Sequence, residues 1–245
     1  MNDLGLQADI SDRFKPFLDK ILEHHQDLIH SIHIVGSALT RDFDPKNSDI
    51  NSVVVLENMN LKFLKFLAPL GKKFGKKRIA APLIMTPAYI EASLDAFPIE
   101  FFNIQQLHLA IFGKDIFQNL DIKKSDLRRQ CERELKIKLM GLRQGFISAA
   151  GNERDLARGF AESFSGYMPL FKAIILLLGQ EPPNDNHAIL SVLEQISGVS
   201  TQAFKNVLIQ KHKMAKSSIK QLNMVFEEYY AAIEKLGEIT DEISV

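Results

Sequence analysis

The sequence is short of several things that would have narrowed its role. It has one cysteine, Cys131, in 245 residues, so no internal disulfide can form and a reducing compartment is expected. Neither sign of charge is in excess: Lys plus Arg and Asp plus Glu are both 30. Bulk attraction to nucleic acid or an anionic membrane is therefore not expected, and any basic site must be local. The most apolar run, Ala173 to Leu178, is too short to span a bilayer. No basic-then-apolar segment reads as a signal peptide, and a soluble cytoplasmic protein with no membrane partner is expected. Repeats and low-complexity tracts are missing. So are Cys-x-x-Cys, a Walker A lysine loop, a Rossmann glycine triplet and His-Glu-x-x-His, which removes the commonest metal and nucleotide signatures.

What is present begins with a hydrophobic fraction of 46%, enough for a proper core in one large or two small domains. Ser11-Asp12 reads as the start of a helix carrying Phe14, Phe17, Leu18, Ile21, Leu22 and His25, with Pro16 in its first turn. The neighbouring His24 and His25 point about 100° apart on a helix and rarely share an ion, so a solvated His24 and a packed His25 are expected. The most informative stretch follows, from Ile32 to Leu56. A β-branched run ends at Gly36-Ser37, a polar turn with Pro45 and Asn47 intervenes, and a second run opens at Asp49-Ile50-Asn51. Strand alternation sets Asp49 and Asn51 on one face and Ile50 on the other. Two side chains able to bind metal thus stand beside a Gly-Ser turn whose amides can face a phosphate.

This arrangement resembles the signature of the DNA polymerase β-like nucleotidyltransferase superfamily: an apolar residue, Gly-Ser, a spacer, then Asp-apolar-acid-apolar. Gly36, Ser37 and Asp49 match, and Asn51 stands where the pattern has a second acid. The resemblance implies a nucleoside triphosphate, a pair of divalent ions such as Mg2+, and transfer of a nucleotidyl group to a hydroxyl of an acceptor that the sequence does not identify. It assigns Gly36, Ser37, Arg41 and Asn51 to the nucleotide, and Asp49, Asn51 and a third acid to the metal. Asn51 offers a neutral oxygen and no charge. Two unit charges about 4 Å apart interact by about 4 kcal/mol at an effective dielectric near 20, so the substitution weakens a divalent site by orders of magnitude. The competing reading is an inactive nucleotidyltransferase-fold protein that binds a nucleotide or a protein.

Downstream, Leu61 to Leu67 reads as a helix ending near Pro69-Leu70-Gly71, and Lys72 to Arg78 as a basic loop whose cations either are solvated or reach a polyanion. A strand is expected over Arg78–Met85 and a short helix from Thr86-Pro87 to Leu94. Phe97 to Phe102 reads as another strand with Glu100 as its one charge. That carboxylate needs a metal, a neighbouring cation or water. By resemblance Glu100 fits the third acid, with Asp49 as the other catalytic carboxylate. Phe112-Gly113-Lys114-Asp115 resembles the turn that closes the catalytic domain in small bacterial members of the superfamily.

From Ser125 the period becomes helical throughout. A long helix is expected from Ser125-Asp126, then helices at about Arg154–Phe164, Tyr167–Leu178, Ala188–Ile196, Thr201–Lys211 and Ser217–Leu236, with a frayed tail from Glu238. His187 and His212 read as solvated, and Cys131 as a small buried residue. The expected fold is α+β: a nucleotidyltransferase-like mixed sheet with flanking helices over residues 1–122, followed by an all-α bundle over 123–245.

Overall fold

The structure, a computed structural model, describes residues 4–210 and 218–245. His212 and the expected helix ends at Lys211 and Ser217 lie outside the described residues. The chain divides into two compact units, the first running to Asp121 and the second from Ile122.

In the first unit α1 (Ala8–His25) precedes β1 (Ile29–Val35) and β2 (Asn51–Leu56). Helix α1 begins earlier than Ser11, so Pro16 lies inside it. Then come α2 (Leu61–Gly75), β3 (Leu83–Met85), α3 (Pro87–Glu91), α4 (Pro98–Gln106) and β4 (His108–Gly113). The strands form one four-stranded sheet in the order β3-β2-β1-β4. β1 is antiparallel to both β2 and β4, while β2 and β3 are parallel, so the sheet is mixed.

Register sorts the side chains by face. Ile32 lies opposite Val54 and Ile34 opposite Ser52. Ile32, Ile34, Val54 and Leu56 join Ile10, Phe14, Phe17 and Ile21 of α1 and Phe63 of α2 in one core. The alternate residues, Ser31, His33 and Val35 on β1 with His108 and Ala110 on β4, turn to the other face.

Three sequence expectations fail here. Helix α2 does not stop at Pro69 but continues to Gly75. The buried positions Phe63, Leu67 and Phe74 keep helical spacing across the proline. The carbonyl that Pro69 leaves without an amide belongs to Lys65, an exposed residue where water can serve instead. Lys72 and Lys73 therefore sit in the last turn of a helix, where cations suit the dipole. The strand expected over 78–85 is confined to Leu83–Met85, and Ile79 contributes an isolated bridge to Ile50.

The third failure is larger: 97–102 is not a strand. Pro98 occupies the start of α4, its fixed φ suiting a first helical turn and its missing N–H unsuited to a ladder. Ile99, Phe101, Phe102 and Ile104 are all buried, and the Asn103 amide donates to the Ile99 carbonyl at 2.7 Å. Burial on most sides of a helix had read as strand alternation.

The second unit consists of helices among its described residues: α5 (Lys124–Ala149), α6 (Glu153–Ser163), α7 (Met168–Leu177), α8 (Asn186–Ser197), α9 (Gln202–Gln210) and α10 (Ile219–Glu242). Its centre is α7, whose Phe171, Ala173, Ile174 and Ile175 are fully buried. Tyr167, Phe171, Phe204 and Tyr229 pack there with ring centroids 4.2–5.6 Å apart. Asp126 is buried and pairs with Arg129 instead of capping α5, which starts at Lys124. The tail expected to fray from Glu238 is helical to Glu242, because Thr240 is fully buried and Arg128 donates to the carbonyls of Thr240 and Asp241. Among the described residues, no helix is long and apolar enough to cross a membrane.

Candidate functional site

The Gly-Ser turn follows directly from the end of β1. Gly36 adopts φ +76°, a conformation that suits glycine, and opens a short 3-10 turn through Leu39. Its N–H donates to the Leu107 carbonyl at 3.1 Å, tying the turn to the residue after α4. That amide is thus engaged within the protein rather than turned toward a phosphate. Ser37 is half-buried, and its carbonyl accepts from the Thr40 amide at 2.9 Å and the Thr40 hydroxyl at 3.0 Å.

The spacer folds on itself. The Asp44 carboxylate accepts from the Asn47 side-chain amide at 2.7 Å and the Lys46 N–H at 2.8 Å. These bonds hold its carboxyl below the usual range, the Asn47 bond contributing most. Asp44 shapes the loop. Arg41 is exposed within it.

At the end of the spacer Ile50 is fully buried while Asp49 and Asn51 are exposed on either side. Asn51 lies opposite Val35, the residue before Gly36, so β-pairing brings Asn51 to the turn. Asp49 Oδ1 is 3.5 Å from Arg78 Nη1, which also donates to the Asn47 carbonyl at 3.1 Å. Arg78 is the cation of the basic run that the fold brings to Asp49. Gly36, Ser37, Asp49 and Asn51 therefore share one end of the β1–β2 pair.

Glu100 is placed differently. It is exposed in the first turn of α4. The seven residues from there to Leu107, the partner of Gly36, span about 10 Å of helix axis at about 1.5 Å each. β3, which runs parallel to β2, carries Leu83, Ile84 and Met85 and no acid. Glu100 thus projects from a helix and not from the strand expected for it, while Asn51 opens β2 with Asp49 two residues before it.

The sheet assembles another polar group that the sequence reading missed. His33 on β1, His108 on β4 and Asp115 in the turn beyond β4 each offer a ligating atom within 4.8 Å of the others. His33 is fully buried, and the His108 side chain is 8% exposed. His108 Nε2 lies 2.8 and 3.0 Å from the two Asp115 oxygens. Asp115 also accepts from the amides of Phe117 at 3.0 Å and Gln118 at 3.2 Å. Burial pushes the Asp115 carboxyl up, but the His108 hydrogen bond and charge and the Phe117 amide outweigh it, and the group titrates below its usual range. His33 is pushed down to about 4, chiefly by burial, with Asp115 opposing and His108 and His30 adding to the effect. Its Nδ1 is buried without a partner. The signal available in the sequence was Ser31-x-His33 alternating onto the face opposite Ile32 and Ile34. Pairing with His108 required the register of β1 and β4. His24 and His25, by contrast, pack on Phe66, and His25 also on Phe63.

The helical unit holds a cavity of about 370 Å³ lined mainly by apolar groups, including Leu142, Phe146, Leu156 and Phe160. Lys138 lies at its wall with Nζ 4.4 Å from the Tyr167 ring centroid, and burial lowers the pKa of that ammonium.

No family model matches the chain, and no curated protein matches its sequence. Among solved structures, the chain is similar to a spectinomycin adenyltransferase from Enterococcus faecialis with ATP and spectinomycin. The TM-score is 0.53 and the identity 12%, over 91% of this chain and 99% of that one. At that identity the likeness shows the fold, which is nucleotidyltransferase-like.

Proposed function

We propose that this chain is a nucleotide-binding protein built on the nucleotidyltransferase fold and that its metal-assisted transfer chemistry is largely lost. Residues 1–122 form its nucleotidyltransferase-like domain, 123–245 its helical domain, and the cytoplasm is its compartment. The observation that carries the proposal is the set of acids. Asn51 supplies no charge, Glu100 stands on a helix, and Asp49 is left beside Arg78 at 3.5 Å. Nucleotidyl transfer needs charge stabilised on a leaving pyrophosphate and a proton taken from the attacking hydroxyl, which two bridged cations ordinarily serve. A carboxylate missing at about 4 Å removes about 4 kcal/mol of attraction per unit charge at an effective dielectric near 20, roughly a thousandfold in affinity.

In this reading Arg41 and Arg78 meet the triphosphate charge that a metal pair would otherwise meet. Ser37 and Asn51 supply polar contacts beside it. Mg2+ enters with the nucleotide's own phosphates, held on the protein side by Asp49. The fold shared with an adenyltransferase favours a second reading, a working enzyme that transfers a nucleotide to an acceptor hydroxyl.

Thermal melting with ATP, GTP, CTP and UTP, each in magnesium and in EDTA, separates the two. Ligand at 100 times its dissociation constant adds about 2.7 kcal/mol, or about 5 °C or more in a chain of this size. The expected result is a rise with one or more nucleotides that is the same in both buffers, and a magnesium-dependent increment only in Asn51→Asp. A rise seen only with magnesium in the native protein and abolished by Asp49→Ala would establish the working metal centre instead.

A further inference from the structure

We infer that His33, His108 and Asp115 form a binding site for one divalent ion of the zinc class, separate from the Gly36–Asn51 turn. The donor set is two imidazoles and one carboxylate, which suits borderline transition ions and not Mg2+ or Ca2+, whose shells are oxygen.

The hydrogen bonds around the cluster carry the argument. His108 Nδ1 faces the carbonyls of Ile104 at 2.9 Å and Gln105 at 3.1 Å, so that nitrogen bears the proton. A neutral His108 then presents the lone pair of Nε2 to the Asp115 carboxylate at 2.8 Å. Two acceptors at that distance require a second ring proton, or a cation that both bind once the pair opens. His33 makes the second case independently. Its Nε2 is 2.9 Å from the Ser31 hydroxyl, and the remaining nitrogen, Nδ1, is fully buried with no partner. An ion held by Nδ1 of His33 would resolve both conditions together, whereas a doubly protonated His108 leaves that nitrogen unsatisfied. The backbone carbonyls behind His108 and the hydroxyl behind His33 have the character of outer-shell groups that fix ligand orientation.

Ligands about 2.1 Å from a tetrahedral ion lie about 3.4 Å apart. The His108–Asp115 pair at 2.8 Å must therefore open by about 0.6 Å, and the separations of up to 4.8 Å must close by about 1 Å or more. Asp115, at 31% exposure, is the member at the rim and supplies that movement by rotating, loosening its bonds to Phe117 and Gln118. Three protein ligands leave the fourth position to a water on the Asp115 side. The ion would clasp β1, β4 and the turn after β4.

The test uses full-length protein stripped with a chelator and titrated with Co2+ alone, read by visible absorption, then with Zn2+ as competitor. One equivalent of cobalt with ligand-field bands in the visible, displaced by one equivalent of zinc, is expected. Asp115→Asn, which retains an oxygen to accept from the Phe117 amide, and His33→Gln should each weaken binding at least tenfold. Far-UV circular dichroism reports whether each variant folds; where His33→Gln does not, Asp115→Asn decides. No stoichiometric uptake by the native protein overturns the site and leaves a protonated His108–Asp115 pair. Uptake unchanged in the folded Asp115→Asn variant overturns it too, by assigning the ion to other ligands.

Discussion

Gly113→Ala should damage the first unit more than any other single methyl group added to a glycine there. Gly113 ends β4 at φ +76°, opposite Ser31 of β1. A Cβ built on it would lie 2.0 Å from the His30 carbonyl oxygen and 2.9 Å from the Ser31 Cα, both of them backbone atoms. No rotamer change relieves that contact, so the end of β4 must draw away from β1 by more than about 1 Å. The left-handed backbone contributes about 1–2 kcal/mol and the overpacking about 1–3 kcal/mol more. The expected loss, about 2–5 kcal/mol, is a large share of the ~5–15 kcal/mol of a typical domain. Gly36→Ala is the internal control, because Gly36 has the same φ of +76° but nothing within 4 Å of its would-be Cβ. It should lose only the backbone part, about 1–2 kcal/mol. Urea unfolding followed by circular dichroism measures both. Equal midpoints for the two variants would refute the steric argument, and with it the close approach of the Gly113 turn to β1.

Acid should destabilise the metal-stripped protein through His33. Its folded value of about 4 lies below the ordinary 6.5, so the unfolded chain binds the extra proton first. Stability is then complete above about pH 6.5 and falls toward pH 4 by up to about 3 kcal/mol. His30, His108 and Asp115 surround the ring, and His33→Gln should flatten the melting-temperature profile over that window; an unchanged slope would sink the assignment. Cys131, fully buried and with its thiol pushed up chiefly by burial, should resist a thiol reagent in the native protein and react fully in urea. Rapid native labelling would contradict that burial. Glu100→Gln added to Asn51→Asp should leave that variant's magnesium-dependent increment unchanged, since Glu100 stands on α4 and not on a strand of the sheet; loss of the increment would return Glu100 to the metal site.

What could be read in the sequence was whatever neighbouring residues determine. Gly36-Ser37, the folded spacer and Asp49-Ile50-Asn51 form one local pattern, and the chain places Ile50 in the core with its neighbours exposed. The helices after Ser125 were legible for the same reason, since periodicity is local. Segment 97–102 was not, because Ile-Glu-Phe-Phe satisfies a strand and a helix buried on most sides alike, and the proline at its start was the discriminating residue. Pro69 misled in the opposite sense, as packing of Leu67 and Phe74 carries α2 through it. The His33, His108 and Asp115 cluster depends on which strands pair and in what register, and no local spacing encodes that.

In the proposed function the triphosphate is met by protein cations and not by a protein-held metal pair. Isothermal titration of the full-length protein with the nucleotide that raises its melting temperature most, in magnesium and again in EDTA, tests it most directly. Dissociation constants within about threefold of each other in the two buffers are expected, with at least tenfold weaker binding in Arg78→Ala, about 1.4 kcal/mol. Binding that vanishes in EDTA and survives Arg78→Ala would contradict it.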